Sequence, residues 1–172
     1  MRRMAPGSRL FRAEPSGAIL GAMLHEGGGL AAEHIARVLK VSRGAARGHA
    51  TYAELRAAIL RGLPYASLEA LVSQFHIARK DLAALLRVPP RTLARRKRAR
   101  RFEADESDRL FRVGRIAAQA EHVLGSREKA SAWLREPNRA LGGAVPLRQL
   151  DTDLGAREVE DVLLRIAHGV YS

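Results

Sequence analysis

The segment Asp81–Arg96, DLAALLRVPPRTLARR, has the spacing of a helix-turn-helix motif. Such a motif needs a small residue where its two helices cross, and Ala83 supplies it. Five residues later Val88 can fill the turn, and five residues further Leu93 can anchor the second helix in a core. A proline pair opens that second helix, where a missing N–H group costs nothing. The spacing therefore predicts a helical module that binds DNA.

Two positions in this segment depart from the usual pattern. The residue before Val88 is usually glycine, because the turn often needs a positive φ, but here it is Arg87. An arginine in that conformation is strained by roughly 1 kcal/mol. We therefore expect a turn of somewhat different geometry, which would weaken direct contacts between the motif and DNA bases. Arg96 stands where an apolar core residue is common.

The second helix of the motif is strongly basic. Its stretch Arg91–Arg101, RTLARRKRARR, carries seven cationic side chains in eleven residues. Arginine can grip guanine edges or neutralise phosphates. The residues expected to bind DNA are Arg91, Thr92, Arg95, Arg96, Lys97, Arg98, Arg100 and Arg101. The alternative is a solvated helix face whose arginines pair with the acids that follow, such as Glu103, Asp105, Glu106 and Asp108.

Charge separates the chain into two halves. Residues 1–101 hold 20 Lys+Arg against 6 Asp+Glu, which gives +14, whereas residues 102–172 hold 10 against 12, which gives −2. This asymmetry indicates a polyanionic partner for the first half only. A membrane surface would call for Trp or Phe on the apolar face of a basic helix, and the lone Trp133 lies elsewhere. Nucleic acid is therefore the favoured polyanion.

Several kinds of chemistry have no support in the sequence. The absence of cysteine excludes disulfides, thiolate catalysis and zinc fingers, and it fits a reducing cytoplasm. The six histidines are scattered without metal-ligand spacing. The longest apolar runs fall short of the ~18 residues of a membrane span, and Glu14 and Pro15 interrupt a faint likeness to a signal peptide. We expect a cytoplasmic protein that is not an enzyme and needs no metal or cofactor.

The hydrophobic periodicity predicts an all-α fold. The glycine run Gly27–Gly29 is interpreted as a chain break, residues 1–16 as frayed and residues 42–50 as a linker. Ser67 is expected to cap the helix that follows it, and the last helix is expected to turn Val159, Val162, Leu163 and Ile166 inward. The expected helices cover 30–41, 53–61, a stretch from Ser67, 78–86, the basic helix, 104–124, 127–136, a short helix at 146–152, and a closing helix.

The second half also carries a set of irregularly spaced motifs. They are Glu106–Leu110 (ESDRL), Ala132–Leu134 (AWL), Pro137–Asn138, Leu141–Gly143 (LGG), Pro146–Leu147, Leu150–Thr152 (LDT), Gly155–Ala156, Val159 and the closing Gly169–Ser172 (GVYS). Together they resemble the toxin-binding domain of the Xre/MbcA/ParS antitoxin family. Gly62–Leu71 and Arg91–Phe102 resemble the helix-turn-helix portion of the same family. The resemblance covers about residues 54–172.

The resemblance implies an antitoxin that is encoded beside a RES-domain toxin. Toxins of this class resemble ADP-ribosyltransferases and consume NAD; the antitoxin blocks them by direct binding and represses its own promoter. Carried over by position, the toxin-facing residues are Arg148, Asp151, Thr152, Gly155, Arg157, Glu158, Gly169, Val170, Tyr171 and Ser172. The glycines also have a plain interpretation as turns, and Trp133 as core. For Tyr171, which has little core left to fill, entry into the partner's NAD site stays an open alternative.

These inferences divide the chain into three parts. Residues 1–53 form an N-terminal region that is partly disordered or forms a dimer, residues 54–101 a helix-turn-helix module, and residues 102–172 a toxin-binding domain. We expect a homodimer on operator DNA within a complex of toxin and antitoxin, because such proteins match paired half-sites. Two alternatives stay open: a transcription regulator without a toxin, and a scaffold without DNA affinity.

Overall fold

The computed structural model describes residues 27–41 and 50–169, and the regular secondary structure of this part of the chain is helical, without a β-strand. The prediction of an all-α fold is confirmed. The helices are α1 (Gly27–Val38), α2 (Tyr52–Arg61), α3 (Tyr65–Phe75), α4 (Arg79–Leu85), α5 (Pro90–Ala99), α6 (Ala104–Leu124), α7 (Arg127–Arg135), α8 (Pro146–Gln149) and α9 (Asp153–Ala167), with a 3-10 turn at Arg139–Leu141.

The central element is α6, which has the bounds predicted from its periodicity. Leu110, Ile116, Ala117 and Ala120 on its inner side are all 0% exposed. They pack against α1 to α4 toward the N-terminus and against α7 and α9 toward the C-terminus. The helix starts with a reciprocal capping box between Glu103 and Glu106 and ends at a glycine in the left-handed conformation. One helix therefore supports both halves of the molecule.

The N-terminal helix α1 starts earlier than predicted. Gly27–Gly29 were interpreted as a break, but they form its first turn. Ile35, Val38 and Leu39 are buried as expected, because α1 lies against α6. The predicted frayed segment 1–16 and all but the last residue of the predicted linker 42–50 lie outside the described residues.

Helix α3 also starts earlier than predicted, so Ser67 is not its N-cap. The backbone N–H of Tyr65 donates to the carbonyl of Arg100 (2.9 Å), and the N–H of Phe102 donates to the carbonyl of Leu63 (2.9 Å). The rings of Tyr65 and Phe102 stack at 5.5 Å. These contacts fix Pro64 as the N-cap and place Ser67 in the first turn, where its side chain is buried.

The C-terminal helices α7 and α9 each begin at a side-chain cap. Ser126 caps α7, and the hydroxyl of Thr152 accepts a hydrogen bond from the N–H of Gly155 (3.1 Å) at the start of α9. Val159, Val162 and Leu163 of α9 are buried, whereas Ile166 is only half-buried, because the end of the helix extends past the core. The C-cap of α9 is His168, and Gly169 follows it at a φ of 69°.

Replacing Gly114 by alanine tests the contact between α6 and the N-terminal helix. A methyl group at Gly114 would overlap the fully buried side chain of Leu39. We expect Gly114→Ala to lower the free energy of unfolding by about 1–3 kcal/mol, the usual cost of overpacking. Chemical denaturation measures it, with Gln119→Ala on the less buried side of α6 as the control. Equal stability of the two variants would show that α1 does not pack against α6.

Candidate functional site

The turn between α4 and α5 keeps the geometry of a helix-turn-helix. Arg87 has a φ of 56°, so the turn adopts the left-handed conformation despite the arginine. The N–H of Arg87 donates to the carbonyl of Ala84 (2.9 Å) and that of Val88 to the carbonyl of Ala83 (2.9 Å). This pair of bonds is the Schellman pattern that closes a helix. The expectation of an altered turn was therefore wrong, because these two bonds hold Arg87 in the conformation that glycine usually adopts.

The core positions of the motif lie where the spacing predicts them. Val88 is 5% exposed and Leu93 is 8% exposed, and Ala83 is half-buried between the helices. Pro89 is the N-cap of α5 and Pro90 its first residue. These contacts direct one side of α5 toward the core and leave the opposite side for a partner.

Three arginines of α5 form a surface that we call the basic face: Arg91, Arg95 and Arg98. At 100° per residue they lie opposite Leu93 on the helix, and all three are exposed. None of them makes an ion pair or a side-chain hydrogen bond within the described part of the chain. Small alanines at positions 94 and 99 lie beside them. The basic face is thus open to phosphate or base edges.

The remaining predicted DNA contacts differ in their surroundings. Lys97 and Arg100 are exposed, and Thr92 is half-buried. One nitrogen of Arg101 donates to the carbonyls of Arg61 (3.0 Å) and Gly62 (3.2 Å), so it closes the end of α2. Arg101 therefore has a structural contact in addition to any role at the surface.

Arg96 points into the protein rather than toward a partner. Its Nε and Nη2 donate to the carboxylate of Glu106 (2.7 and 3.0 Å), and its Nη1 donates to Glu103 (2.6 Å). The side chains of Arg96 and Glu106 are 12% and 9% exposed. The hydrogen bond to Glu106 raises the pKa of the guanidinium. We withdraw Arg96 from the DNA-binding set: for this one arginine, the alternative of pairing with the following acids is correct.

The toxin-facing residues assigned by resemblance fall into two groups. Arg148, Asp151, Arg157 and Glu158 are exposed around the start of α9, and Arg157 pairs with Asp153 at 3.1 Å. Their exposed side chains are accessible to a second protein.

The second group consists of two residues that stabilise the start of α9 and of the C-terminal tail 169–172. The hydroxyl of Thr152 caps α9. Gly155 is buried, and a methyl group there would overlap the carbonyl oxygen of Gln149. Gly155 therefore serves close packing and does not face a partner, which corrects its assignment. Gly169 is exposed, and Val170–Ser172 lie outside the described residues.

The sequence analysis missed two exposed leucines on α9. Leu154 is 71% exposed and Leu164 is 37% exposed. At 100° per residue they lie about 80° apart, on the side of the helix that faces away from Val159 and Leu163. Arg157 and Asp161 lie between them, and Glu158 and Arg165 lie on the other side of Leu154. We call these six residues the α9 face. The sequence could have predicted this face, because the helical period places both leucines away from the buried residues of α9.

No group of three or more metal-ligating side chains occurs among the described residues. His34 of α1 contacts Glu121 of α6 at 3.4 Å, and burial lowers the pKa of this histidine.

No helix in residues 27–41 and 50–169 is long and apolar enough to span a membrane.

Two family models match the chain. The model for the antitoxin Xre-like helix-turn-helix domain matches residues 54–115, and the model for the antitoxin Xre/MbcA/ParS C-terminal toxin-binding domain matches residues 119–169. An antitoxin Xre of Photorhabdus laumondii is 32% identical over 120 residues, which cover 69% of this chain and 81% of the relative. The chain belongs to the Xre antitoxin family. This confirms the resemblance and agrees with the expectation that the protein is not an enzyme.

Two other relatives are also named as antitoxins. An antitoxin Xre of Pseudomonas putida is 45% identical over 83 residues, which cover 48% of this chain and 52% of the relative, so the chain spans about half of that protein. A Sphingobium protein called Prs ADP-ribosylating antitoxin is 24% identical over 124 residues, which cover 66% of this chain and 78% of that protein. The two domain matches meet within α6, between residues 115 and 119.

Removing the acid that neutralises Arg96 tests the buried ion pair. Glu106→Ala leaves a buried guanidinium with one exposed partner, Glu103, whose side chain is 63% exposed. We expect a loss of about 3 kcal/mol in the free energy of unfolding, the lower end for breaking a buried pair. The matched variant Glu103→Ala removes the exposed bond to Arg96 and the Glu103 half of the capping box, and it costs about 1–2 kcal/mol. Denaturant titration that ranks the two variants the other way would contradict the assignment.

Proposed function

We propose that this Xre-family chain is an antitoxin that binds a RES-domain toxin, blocks its NAD-consuming active site and represses its own operon. The carrying observation is that each family match contains its own exposed surface. The basic face lies within the helix-turn-helix match and the α9 face within the toxin-binding match. The two surfaces differ in charge, as two partners of different chemistry require.

The α9 face has the composition of a protein interface. Two arginines and two acids balance each other, and the two exposed leucines at its ends can serve as apolar anchors. Such a face gives little attraction to DNA but offers apolar area to bury. The name of the Sphingobium relative joins an antitoxin to ADP-ribosylation, which supports an ADP-ribosyltransferase-like toxin here.

The proposed toxin-facing set combines this face with the residues expected from the resemblance. We retain the exposed side chains near the start of α9 and the C-terminal tail, and we add the two leucines. The set is Arg148, Asp151, Leu154, Arg157, Glu158, Asp161, Leu164, Arg165, Gly169, Val170, Tyr171 and Ser172. Thr152 and Gly155 shape the start of α9 from behind this surface.

The basic face supports the DNA-binding part of the proposal. Its arginines occupy the outer side of the second helix of the motif, the side that enters a groove in proteins of this architecture. Lys97 and Arg100 extend the positive charge beyond them. We propose a homodimer in the bacterial cytoplasm that places one basic face on each half-site of the operator.

Replacing an exposed leucine of the α9 face by an acidic residue should weaken inhibition of the toxin. Leu154→Glu would bury an unpaired carboxylate against the toxin, and we expect inhibition of NAD consumption by the neighbouring RES-domain protein to weaken about tenfold or more. Leu60→Glu is the matched control, since Leu60 is 58% exposed but lies on α2. Titration of purified toxin with each variant measures the effect.

Deletion of Val170–Ser172 examines the tail in the same titration. We expect weakened inhibition while DNA binding stays intact. If neither Leu154→Glu nor the deletion changes inhibition, or if the wild-type chain does not inhibit, the toxin proposal is wrong. DNA binding without any toxin would then favour the alternative of a free-standing regulator.

The salt dependence of DNA binding tests the basic face. Each phosphate contact contributes about −0.9 to the slope of log K against log salt. We expect Arg95→Ala to flatten the slope by about 0.9 for each protomer, or about 1.8 for the proposed homodimer on two half-sites. The control is Arg165→Ala, an exposed arginine on α9. If Arg95→Ala and Arg165→Ala give the same slope as wild type, α5 is only a solvated helix.

A further inference from the structure

Arg87 stands at the turn of the helix-turn-helix, where its backbone conformation favours glycine. Its φ is 56°, and the two hydrogen bonds of the Schellman pattern fix that conformation. The side chain is exposed and makes no ion pair or hydrogen bond within the described part of the chain. A strained residue held in place by its surroundings is a reason to look for a function of its side chain.

The usual structural reason for a cation at this position is already met by another residue. A helix end favours a positive charge because its last carbonyls carry partial negative charge. At the end of α4 that charge comes from Arg109, whose Nη1 donates to the carbonyl of Leu86 (3.0 Å). Asp105 holds Arg109 in place at 3.2 Å. The folded chain therefore gains little from a second cation at position 87.

The position of Arg87 suits a contact with the DNA backbone. It lies four residues before Arg91, the first arginine of the basic face, and the turn joins it directly to the start of α5. In this architecture the first helix crosses the sugar-phosphate backbone while the second lies in the groove. We propose that Arg87 binds a DNA phosphate at the edge of the groove, a contact that rests on the proposed DNA-binding function.

The variant Arg87→Gly separates the DNA contact from a role in folding. Glycine relieves the backbone strain, so the melting temperature should rise by about 2 °C. Loss of the phosphate contact in both protomers of the proposed homodimer should flatten the slope of log K against log salt by about 1.8, which is about 0.9 for each contact, and weaken binding about sixtyfold at 0.1 M salt. The probe is a labelled duplex of about 30 base pairs from the promoter of the operon, long enough for two half-sites. Arg87→Lys should keep the wild-type slope.

Lys40 provides a matched control outside the helix-turn-helix. It has a φ of 48°, and the N–H groups of Lys40 and Val41 make the same pair of bonds, to Arg37 (3.2 Å) and Ala36 (2.9 Å). Its side chain is exposed. Lys40→Gly should therefore raise the melting temperature in the same way and leave the salt slope unchanged.

Two results would overturn the inference and are distinguishable from failure of the proposed function. If Arg87→Gly keeps the wild-type slope while Arg95→Ala flattens it, Arg87 makes no DNA contact although α5 does. If Arg87→Gly lowers the melting temperature and keeps the slope, the side chain serves folding. If wild type itself shows no salt-dependent binding, the DNA-binding function and the inference fall together.

Discussion

The burial of one side of α6 is the constraint on which the rest of the structure depends. Its inner residues are fully buried between the N-terminal helices and the pair α7 and α9. Helices as short as α4, α7 and α8 are marginal in isolation, so they owe their stability to packing. Because α6 receives both sets of helices, the basic face and the α9 face share one core.

The buried pair Arg96–Glu106 connects the basic helix α5 to this core. Leu93 is the one residue of α5 whose side chain is buried, so apolar packing alone holds this helix weakly. The bidentate bond to Glu106 attaches α5 to the first turn of α6. A buried ion pair adds little net stability compared with apolar residues of the same size. Its contribution here is to fix the orientation of α5, because a planar guanidinium can donate two hydrogen bonds to a carboxylate in only a few orientations.

Much of the fold could be predicted from local patterns. The periodicity and caps of α6 gave its bounds, and the spacing of Ala83, Val88 and Leu93 predicted the motif. The errors at α3 and Gly155 arose where residues of different helices or of the segments between them meet. The start of α3 depends on hydrogen bonds between residues 63–65 and 100–102. The role of Gly155 depends on the close approach of Gln149, which no spacing reveals.

The functional residues were harder to predict than the helices. The composition of α5 identified a basic segment but did not show which arginine turns inward. That choice depends on Glu106, ten residues further along the chain and on another helix. The leucines of the α9 face were readable from the helical period, because they fall opposite the buried stripe. The structure assigns them by exposure, a property that a sequence pattern only implies.

The continuous helix α6 also fixes how far apart the two surfaces lie. Its 21 residues span about 30 Å at 1.5 Å per residue, and no break interrupts residues 104–124. In the proposed complex, a toxin bound to α9 would therefore have a fixed distance and orientation relative to DNA bound by α5. Neighbouring assemblies on one operator would then meet or clear each other according to the DNA length between half-sites. The number of DNA base pairs between half-sites would then determine how many toxin molecules the promoter can accommodate.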